Sequence, residues 1–350
     1  ACTGYCGGYD GFCGLHGQTT GRLAQILTGA GGAFTDKLWF DLLDKHGPSE
    51  FLGYEKNQAE GQILAMVKDG AVVPKASAGD NVQILFNQTP FYAESGGQVG
   101  DTGTVQVGPA RGRVTDVQKI LGGLFVHHVT VEAGTLETGA GAELSIDAER
   151  REAIRCNHSV THLLHHALQT VLGDHVAQKG SRQDEARTRF DIAHGYPITD
   201  EQMAQIETMV NDEIRANTPV TTRVMSMEDA LESGATALFG EKYGDEVRVV
   251  SMGRARADGG VPFSVELCGG THVARTGDIG LFKIVAQGAV AAGVRRIEGI
   301  TGAAALAYFA DQERMLDQIA DVLKTARADV PARVTALIEE RKKLKGEVSA

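Results

Sequence analysis

Residues 149–172 read ERREAIRCNHSVTHLLHHALQTVL. Ile154, Val160, Leu163, Leu164, Ala167, Leu168 and Val171 recur at the spacing of one helical face. Asp147 or Glu149 opens this helix and Gly173 ends it. The same stretch carries His158-Ser159-Val160-Thr161-His162, and positions i and i+4 of a helix lie one above the other, so both imidazoles can meet one ion. Far downstream, Cys268-Gly269-Gly270-Thr271-His272 repeats the separation after a predicted strand. Three imidazoles and a thiolate suit zinc. A lone H-x-x-x-H arises by chance in helices, whereas two ligand pairs make a stronger signal. The competing interpretation is a set of core histidines and one inert buried cysteine. His165 and His166 read as helix-surface or packing residues, and Cys156 as core.

Between the ligand pairs lies Gln178-Lys179-Gly180-Ser181, a Gly-centred turn that lets a ligand approach the backbone, or an ordinary loop. Residues 187–192 read as a strand, 198–215 as a capped helix, 227–233 as a short helix and 247–252 as a strand. Segments 265–267, 282–285 and 295–300 complete a mixed α/β sheet with no dinucleotide-binding glycine pattern. Arg295-Arg296 suits phosphate, but only one of two neighbours on a strand faces a given side, so the other is structural. Residues 301–350 hold eight acidic and eight basic residues and read as a helical hairpin. Its predicted seams are Leu316, Ile319, Leu323 and Ala326 against Val334, Leu337, Ile338 and Leu344, with Pro331 opening the second helix.

Upstream, short apolar segments at 82–86, 103–107, 112–117 and 124–129 alternate with Gly-rich turns, the pattern of a small antiparallel barrel. His127 and His128 share one of these strands, one facing in and the other out. Residues 91–98, FYAESGGQ, read as a Gly-centred turn with polar and aromatic groups, or a hairpin that packs against a neighbouring domain. Phe34, Leu38, Leu42 and Leu43 predict an amphipathic helix over 34–46, started by Asp36 and broken at Gly47-Pro48-Ser49. Residues 55–67 predict a further short helix. Residues 1–32 hold ten Gly and two charged residues and read as a loose or foreign extension. Their Cys2, Cys6, Cys13 and His16 could be written as a metal knuckle, without the usual C-x-x-C spacing.

The 350 residues suggest two to three domains, and 42% hydrophobic with 23% charged residues is an ordinary globular balance. No long apolar run predicts a membrane span and no secretory signal is visible. A net charge of −11 argues against general nucleic-acid binding but leaves room for a local basic groove at one RNA end. Five scattered cysteines favour a reducing, cytoplasmic setting. The chain opens on Ala1, which suggests a fragment or a processed product.

Residues 51–54, 90–103, 156–164, 178–181, 268–273 and 293–298 together resemble the alanyl-tRNA synthetases, in order and from about residue 34 onward. Residues 1–32 match nothing familiar in that family. The resemblance implies an α+β chain. Its parts would be the helical end of a tRNA-recognition region (33–68), an antiparallel β-barrel (69–148), a mixed α/β zinc-dependent editing domain (149–300) and a helical linker (301–350). It implies one Zn2+ on His158, His162, Cys268 and His272. Thr161, Gln178 and Ser181 would form the catalytic pocket, with Lys179 and Arg295 binding substrate or tRNA. ATP and Mg2+ belong to an aminoacylation core whose motifs are not seen here, and oligomerisation to a C-terminal domain also not seen.

The implied reaction is hydrolysis of alanine tRNA mischarged with serine or glycine, because a pocket for alanine hardly rejects a smaller residue or one added hydroxyl. Zinc would activate water, anchor the amino group, or be structural, since four protein ligands close a tetrahedral site. A free-standing deacylase and a non-enzymatic zinc-stabilised tRNA-binding module are the alternatives. The helical segment 34–54 favours the synthetase over the free-standing form.

Overall fold

The run Ile63-Leu64-Ala65-Met66-Val67 lies in a strand, not in the short helix predicted for 55–67. Five consecutive apolar residues carry neither period, and here both faces are covered: Ile63, Ala65, Met66 and Val67 are all buried. The computed structural model describes residues 32–236, 245–256 and 260–348, so the candidate knuckle of Cys2, Cys6, Cys13 and His16 lies outside them. These residues form two compact units, described separately below.

The first unit comprises described residues 32–90 and 103–145. It starts with α1 (Gly32–His46), β1 (Glu50–Phe51), β2 (Gln58–Lys68), β3 (Ala71–Val73), β4 (Lys75–Ser77), β5 (Asn81–Phe86) and β6 (Gln88–Thr89). β7 (Gly103–Val107), β8 (Ala110–Ile120), β9 (Leu124–Ala133), β10 (Thr135–Glu137) and β11 (Gly141–Ile146) follow. Six strands close on themselves in the order β2-β5-β9-β8-β7-β11 and back to β2. β2 serves both edges: Gln58 to Gln62 pair with β11, and Ile63 to Val67 pair with β5 across a bulge. Such a bulge bends the strand enough to close a barrel.

α1 packs Trp39 and Leu42 on Ala65, Val67, Leu85, Leu124 and Val126. The predicted helix face is thus corrected. Trp39 and Leu42 are its buried anchors, Leu38 and Leu43 are partly buried, and Asp36 lies inside the helix instead of starting it. The side chain of Phe34 lies outside the described residues.

The second unit comprises described residues 91–102 and 146–348; the FYAESGGQ segment, inside the 69–148 bounds expected for the barrel, belongs to this unit. Its elements are α2 (Ala148–Leu172), β12 (Gln178–Gln183), β13 (Thr188–Ala193), α3 (Asp200–Ala216), β14 (Thr221–Ser226) and α4 (Met227–Glu232). β15 (Glu246–Ala255), β16 (Pro262–Leu267), β17 (Phe282–Ala291), β18 (Val294–Thr301), α5 (Gly302–Leu323) and α6 (Val330–Val348) complete it. The Asp147 carboxylate caps α2 by accepting from the Arg150 N–H at 3.0 Å, and Gly173, at φ 112°, ends it. Thr199 and Gln202 form a reciprocal capping box on α3.

The strands form two antiparallel sheets, β12-β13-β18-β17 and β14-β15-β16, in place of the single mixed sheet expected. The core joins Val160, Leu163, Leu164, Ala167 and Leu168 of α2 to Phe190 and Ile192 of β13, Ile297 of β18 and Ile206 and Val210 of α3. Gln178 to Ser181 is the start of β12, not a turn. α5 and α6 do not form the predicted seams. Leu316, Ile319, Val334, Ile338 and Leu344 are exposed, Leu323 and Leu337 are half-buried, Ala326 falls after α5, and the buried residues of the two helices are Ala305, Ala320 and Val330.

His127 in β9 is fully buried, and its neighbour His128 is half-buried. The Ile84 carbonyl lies 3.2 Å from its Nδ1 and the Thr89 hydroxyl 2.8 Å from its Nε2. A carbonyl only accepts, so Nδ1 carries the proton and Nε2 accepts from Thr89. Burial lowers the His127 pKa from 6.5 to about 4. The unfolded chain therefore binds this proton first, and stability is lost as pH falls from 6.5 toward 4, by roughly 3 kcal/mol at about 1.4 kcal/mol per pH unit. Trp39, the chain's one tryptophan, reports on this unit. Its fluorescence-detected urea midpoint should fall between pH 7 and pH 4.5 in the parent, whereas His127→Leu should start lower and lose this part of the slope.

Candidate metal centre

α2 brings His158 and His162 to one face, and the loop after β16 brings Cys268 and His272 against them. One donor atom from each of the four lies within 4.8 Å of all the others. Cys268 Sγ is 3.5 Å from His158 Nε2 and 3.3 Å from His272 Nε2. The rings of His158 and His162 stack with centroids 5.5 Å apart, and His272 lies 4.6 Å and 5.0 Å from them. The two helix histidines are buried, while Cys268 and His272 are half-buried, so the cluster reaches the surface on the loop side.

Each imidazole is oriented through its other nitrogen. His162 Nδ1 lies 2.6 Å from Glu266 Oε2, and a carboxylate only accepts, so this nitrogen donates. Glu266 Oε1 receives His165 Nδ1 at 2.8 Å. His272 Nδ1 lies 3.1 Å from Ser159 Oγ, which also accepts the Val273 N–H at 3.1 Å. His158 Nδ1 lies 2.8 Å from Gln98 Oε1. The Nε2 of His162 is buried with no hydrogen-bond partner, an atom that a cation would satisfy. The Arg248 guanidinium donates to the carbonyls of Cys268 and Gly270, both at 2.9 Å, and so fixes the loop. Gly270 packs against the His158 ring, where a β-carbon would overlap it.

Burial alone would raise the Cys268 thiol, but the facing His158, His272 and His162 hold it well below its ordinary range, so it is a thiolate. Burial likewise opposes ionisation of Glu266, yet His162 and His165 bring it down to about 2. Burial pushes His272 down to about 3, keeping it neutral. Against its own burial, His162 is raised to about 10 by Glu266 and Cys268. The cluster thus buries two anions against the one positive charge of His162, and a cation that displaces this proton would sit where the Nε2 atoms and Sγ meet. A divalent cation with soft and imidazole ligands fits that position.

The sequence-predicted pocket residues lie in the same unit. Ladder register sets Gln178 and Arg295 on either side of Ile192, and Ser181 and Ile297 on either side of Phe190. Phe190, Ile192 and Ile297 belong to the core shared with α2, so Gln178, Ser181 and Arg295 occupy the sheet face turned toward that helix. Gln178 Nε2 is 3.5 Å from Ser181 Oγ. Lys179 is exposed. Arg296 is the structural member of its pair, bound to Asp191 at 2.7 and 2.8 Å. The Thr161 hydroxyl is buried; it donates to the Asn157 carbonyl and lies 2.7 Å from the Thr188 hydroxyl.

His165 and Cys156 are both buried, the former as a partner of Glu266 and the latter in the core, with its thiol pushed up to about 12 by burial. Sequence reasoning missed Gln98, Ser159, Arg248 and Glu266. Glu266 carried a signal, an acid two residues before Cys268 and flanked by Val265 and Leu267; Gln98 carried none.

Residues 27–150 match the family model for class II (A) tRNA synthetases, and residues 247–298 match that for the threonyl and alanyl tRNA synthetase second additional domain. Alanine–tRNA ligases of Rhizobium meliloti, Mesorhizobium japonicum and Cereibacter sphaeroides are 56%, 53% and 52% identical to the chain. These alignments cover 92%, 97% and 97% of it.

The chain belongs to the alanyl-tRNA synthetase family.

It spans 36%, 38% and 39% of the lengths of those relatives. Alignment over 97% of the chain extends into residues 1–32, against the expectation that they match nothing in the family. The second family match contains Arg248, Glu266, the Cys268–His272 loop and Arg295.

One metal ion per chain should be found by elemental analysis of the purified protein. Cys268→Ala and His162→Ala should lose it. Gly270→Ala, which keeps every ligand, should also lose most of it, because the new β-carbon displaces His158; full occupancy in that variant would contradict the packing described here.

Proposed function

We propose that the second unit hydrolyses the ester of serine or glycine wrongly attached to the alanine tRNA. The whole protein would be an alanine–tRNA ligase that uses ATP and Mg2+ in a part outside this chain. The observation that carries the proposal is the four-ligand cluster sharing one unit, and one side of a sheet, with Gln178, Ser181 and Arg295. Family membership supports it. A zinc ion on His158, His162, Cys268 and His272 would supply Lewis-acid polarisation or hold the substrate's amino group.

The chain's own residues divide the remaining work. Gln178 and Ser181 offer a donor and an acceptor to the serine hydroxyl, a handle that alanine lacks. Arg295 and the exposed Lys179 supply charge for phosphates of the tRNA end. Thr161, already engaged with Asn157 and Thr188, acts by positioning α2 against β13. The half-buried loop side of the cluster provides access for the ester. Hydrolysis is completed by water: its oxygen bonds to the ester carbonyl carbon, the bond from that carbon to the ribose oxygen breaks, and a proton from the water passes to the ribose oxygen.

Residues 33–57, ahead of the barrel strand β2, and 301–350 would be the end of a tRNA-recognition region and a linker toward an oligomerisation domain. A cytoplasmic setting accords with this function; among the described residues no helix is long and apolar enough to cross a membrane. The class II synthetase match over 27–150 favours the synthetase over a free-standing deacylase.

The purified chain should release serine and glycine from the mischarged alanine tRNA while sparing alanyl-tRNA, and should form no alanyl-adenylate from ATP. Low salt and high enzyme favour binding. Cys268→Ala should abolish release. Gln178→Ala should reduce the preference for serine over alanine by about tenfold or more, as expected when a hydrogen-bonded hydroxyl loses its partner. Confirmed tRNA binding with ester decay at the uncatalysed rate would leave only the binding-module function.

A further inference from the structure

Gln98 reaches the centre from a segment far away in sequence, and its side chain is wholly buried. Its Oε1 receives the Thr271 N–H at 2.9 Å, and a backbone N–H can face only an acceptor, so this atom is the oxygen. The same oxygen is 2.8 Å from His158 Nδ1, which must therefore donate. With Nδ1 bound to Gln98, Nε2 is the nitrogen that faces the cluster, 3.5 Å from Cys268 Sγ. The Gln98 amide nitrogen donates to Thr271 Oγ1 at 2.9 Å. One side chain thus sets the tautomer of a helix ligand and holds the loop that carries the other two ligands.

The backbone is built to deliver it. Gly96 and Gly97 have φ of 57° and 87°, the left-handed pair of a two-residue hairpin turn, closed by Ser95 and Gln98 bonding each other at 3.1 and 3.0 Å. A β-carbon on Gly97 would overlap Ser181. Val99 N–H donates to the Gln183 carbonyl at 3.1 Å, and Gln183 N–H to the Gly97 carbonyl at 2.8 Å, tying the turn to β12. Asp101 then forms a buried ion pair with Arg151, two helical turns before His158 on α2, and accepts the Tyr92 N–H at 2.6 Å.

We propose that Gln98 is a positioning residue for the metal centre: it locks His158 as an Nε2 ligand and couples it to the Cys268–His272 loop. The proposal rests on the assignment of the cluster as a metal site. Outer-shell partners of this kind are worth about ten- to a hundredfold in metal affinity.

Zinc affinity of the full chain, measured by competition with a chromophoric chelator, tests it, together with the absorption spectrum of the cobalt-loaded protein. Gln98→Met keeps length and bulk but cannot hydrogen-bond; Gln98→Asn keeps the amide but cannot reach. Each should bind zinc about ten- to a hundredfold more weakly and shift the cobalt spectrum, and either one suffices if the other does not fold. Gln98→Glu keeps an acceptor for both His158 and Thr271 and should restore affinity to within about threefold. The thermal midpoints of the metal-free forms separate loss of folding from loss of metal. A folded Met or Asn variant with the parent's affinity and spectrum overturns the role of Gln98 alone. A parent chain that takes up neither zinc nor cobalt overturns the metal centre and this role with it.

Discussion

A thiolate buried against three imidazoles is the constraint on which the second unit depends. Cys268 ionises there only because His158, His162 and His272 face it, and each ring must present Nε2 inward to do so. That orientation puts every Nδ1 on the outside, where a proton must find an acceptor. The chain supplies three different ones: Gln98, Glu266 and Ser159. The cluster is therefore a four-residue centre with an obligatory second layer, and the second layer decides which parts of the chain have to meet.

That requirement explains otherwise odd features of the fold. Residues 91–102 leave the run of barrel strands and join the second unit. The ion pair of Asp101 with Arg151 secures that excursion, and removing one partner of so buried a pair typically costs about 3–5 kcal/mol. Gly270 is needed because His158 packs on its α-carbon, and Gly97 because the turn bearing Gln98 lies against Ser181. Arg248 holds the Cys268 and Gly270 carbonyls from the adjacent strand, so the loop is fixed by its backbone as well as by its side chains.

Much of this was legible in the sequence, and the reasons differ by element. α2 was readable because its apolar period, its Asp147 cap and its Gly173 stop agree. The four ligands were readable because two pairs repeat one spacing. β2 was not, since Ile63 to Val67 is apolar throughout and its neighbours, not its period, decide between helix and strand. The α5 and α6 seams misled because Leu316, Ile319 and Leu344 follow a helical period while remaining exposed, and periodicity cannot say whether a partner is there. Gln98 was invisible because its role depends on a long-range contact with His158, and nothing local distinguishes it from any turn glutamine.

The arrangement also bears on how selectivity and metal holding are divided. If all four protein atoms ligate one ion, little coordination remains for substrate, and discrimination between serine and alanine has to come from groups outside the cluster. β12 is suited to that. Gln178 and Ser181 sit on the face toward α2, yet neither is tied into the layer that orients the histidines, whose hydrogen bonds end at Gln98, Glu266 and Ser159. Under the proposed function, changes at Gln178 would alter side-chain preference without releasing the ion, whereas changes at Gln98 would loosen the ion and also reach β12 through the turn's bonds to Gln183. Thr161 bridges the two sets. It sits beside His162 on α2, and its hydroxyl meets Thr188 on β13, the strand next to Gln178 and Ser181. A small β-branched hydroxyl residue fits there because it bonds back to the helix and forward to the sheet at once, fixing the distance between α2 and β13.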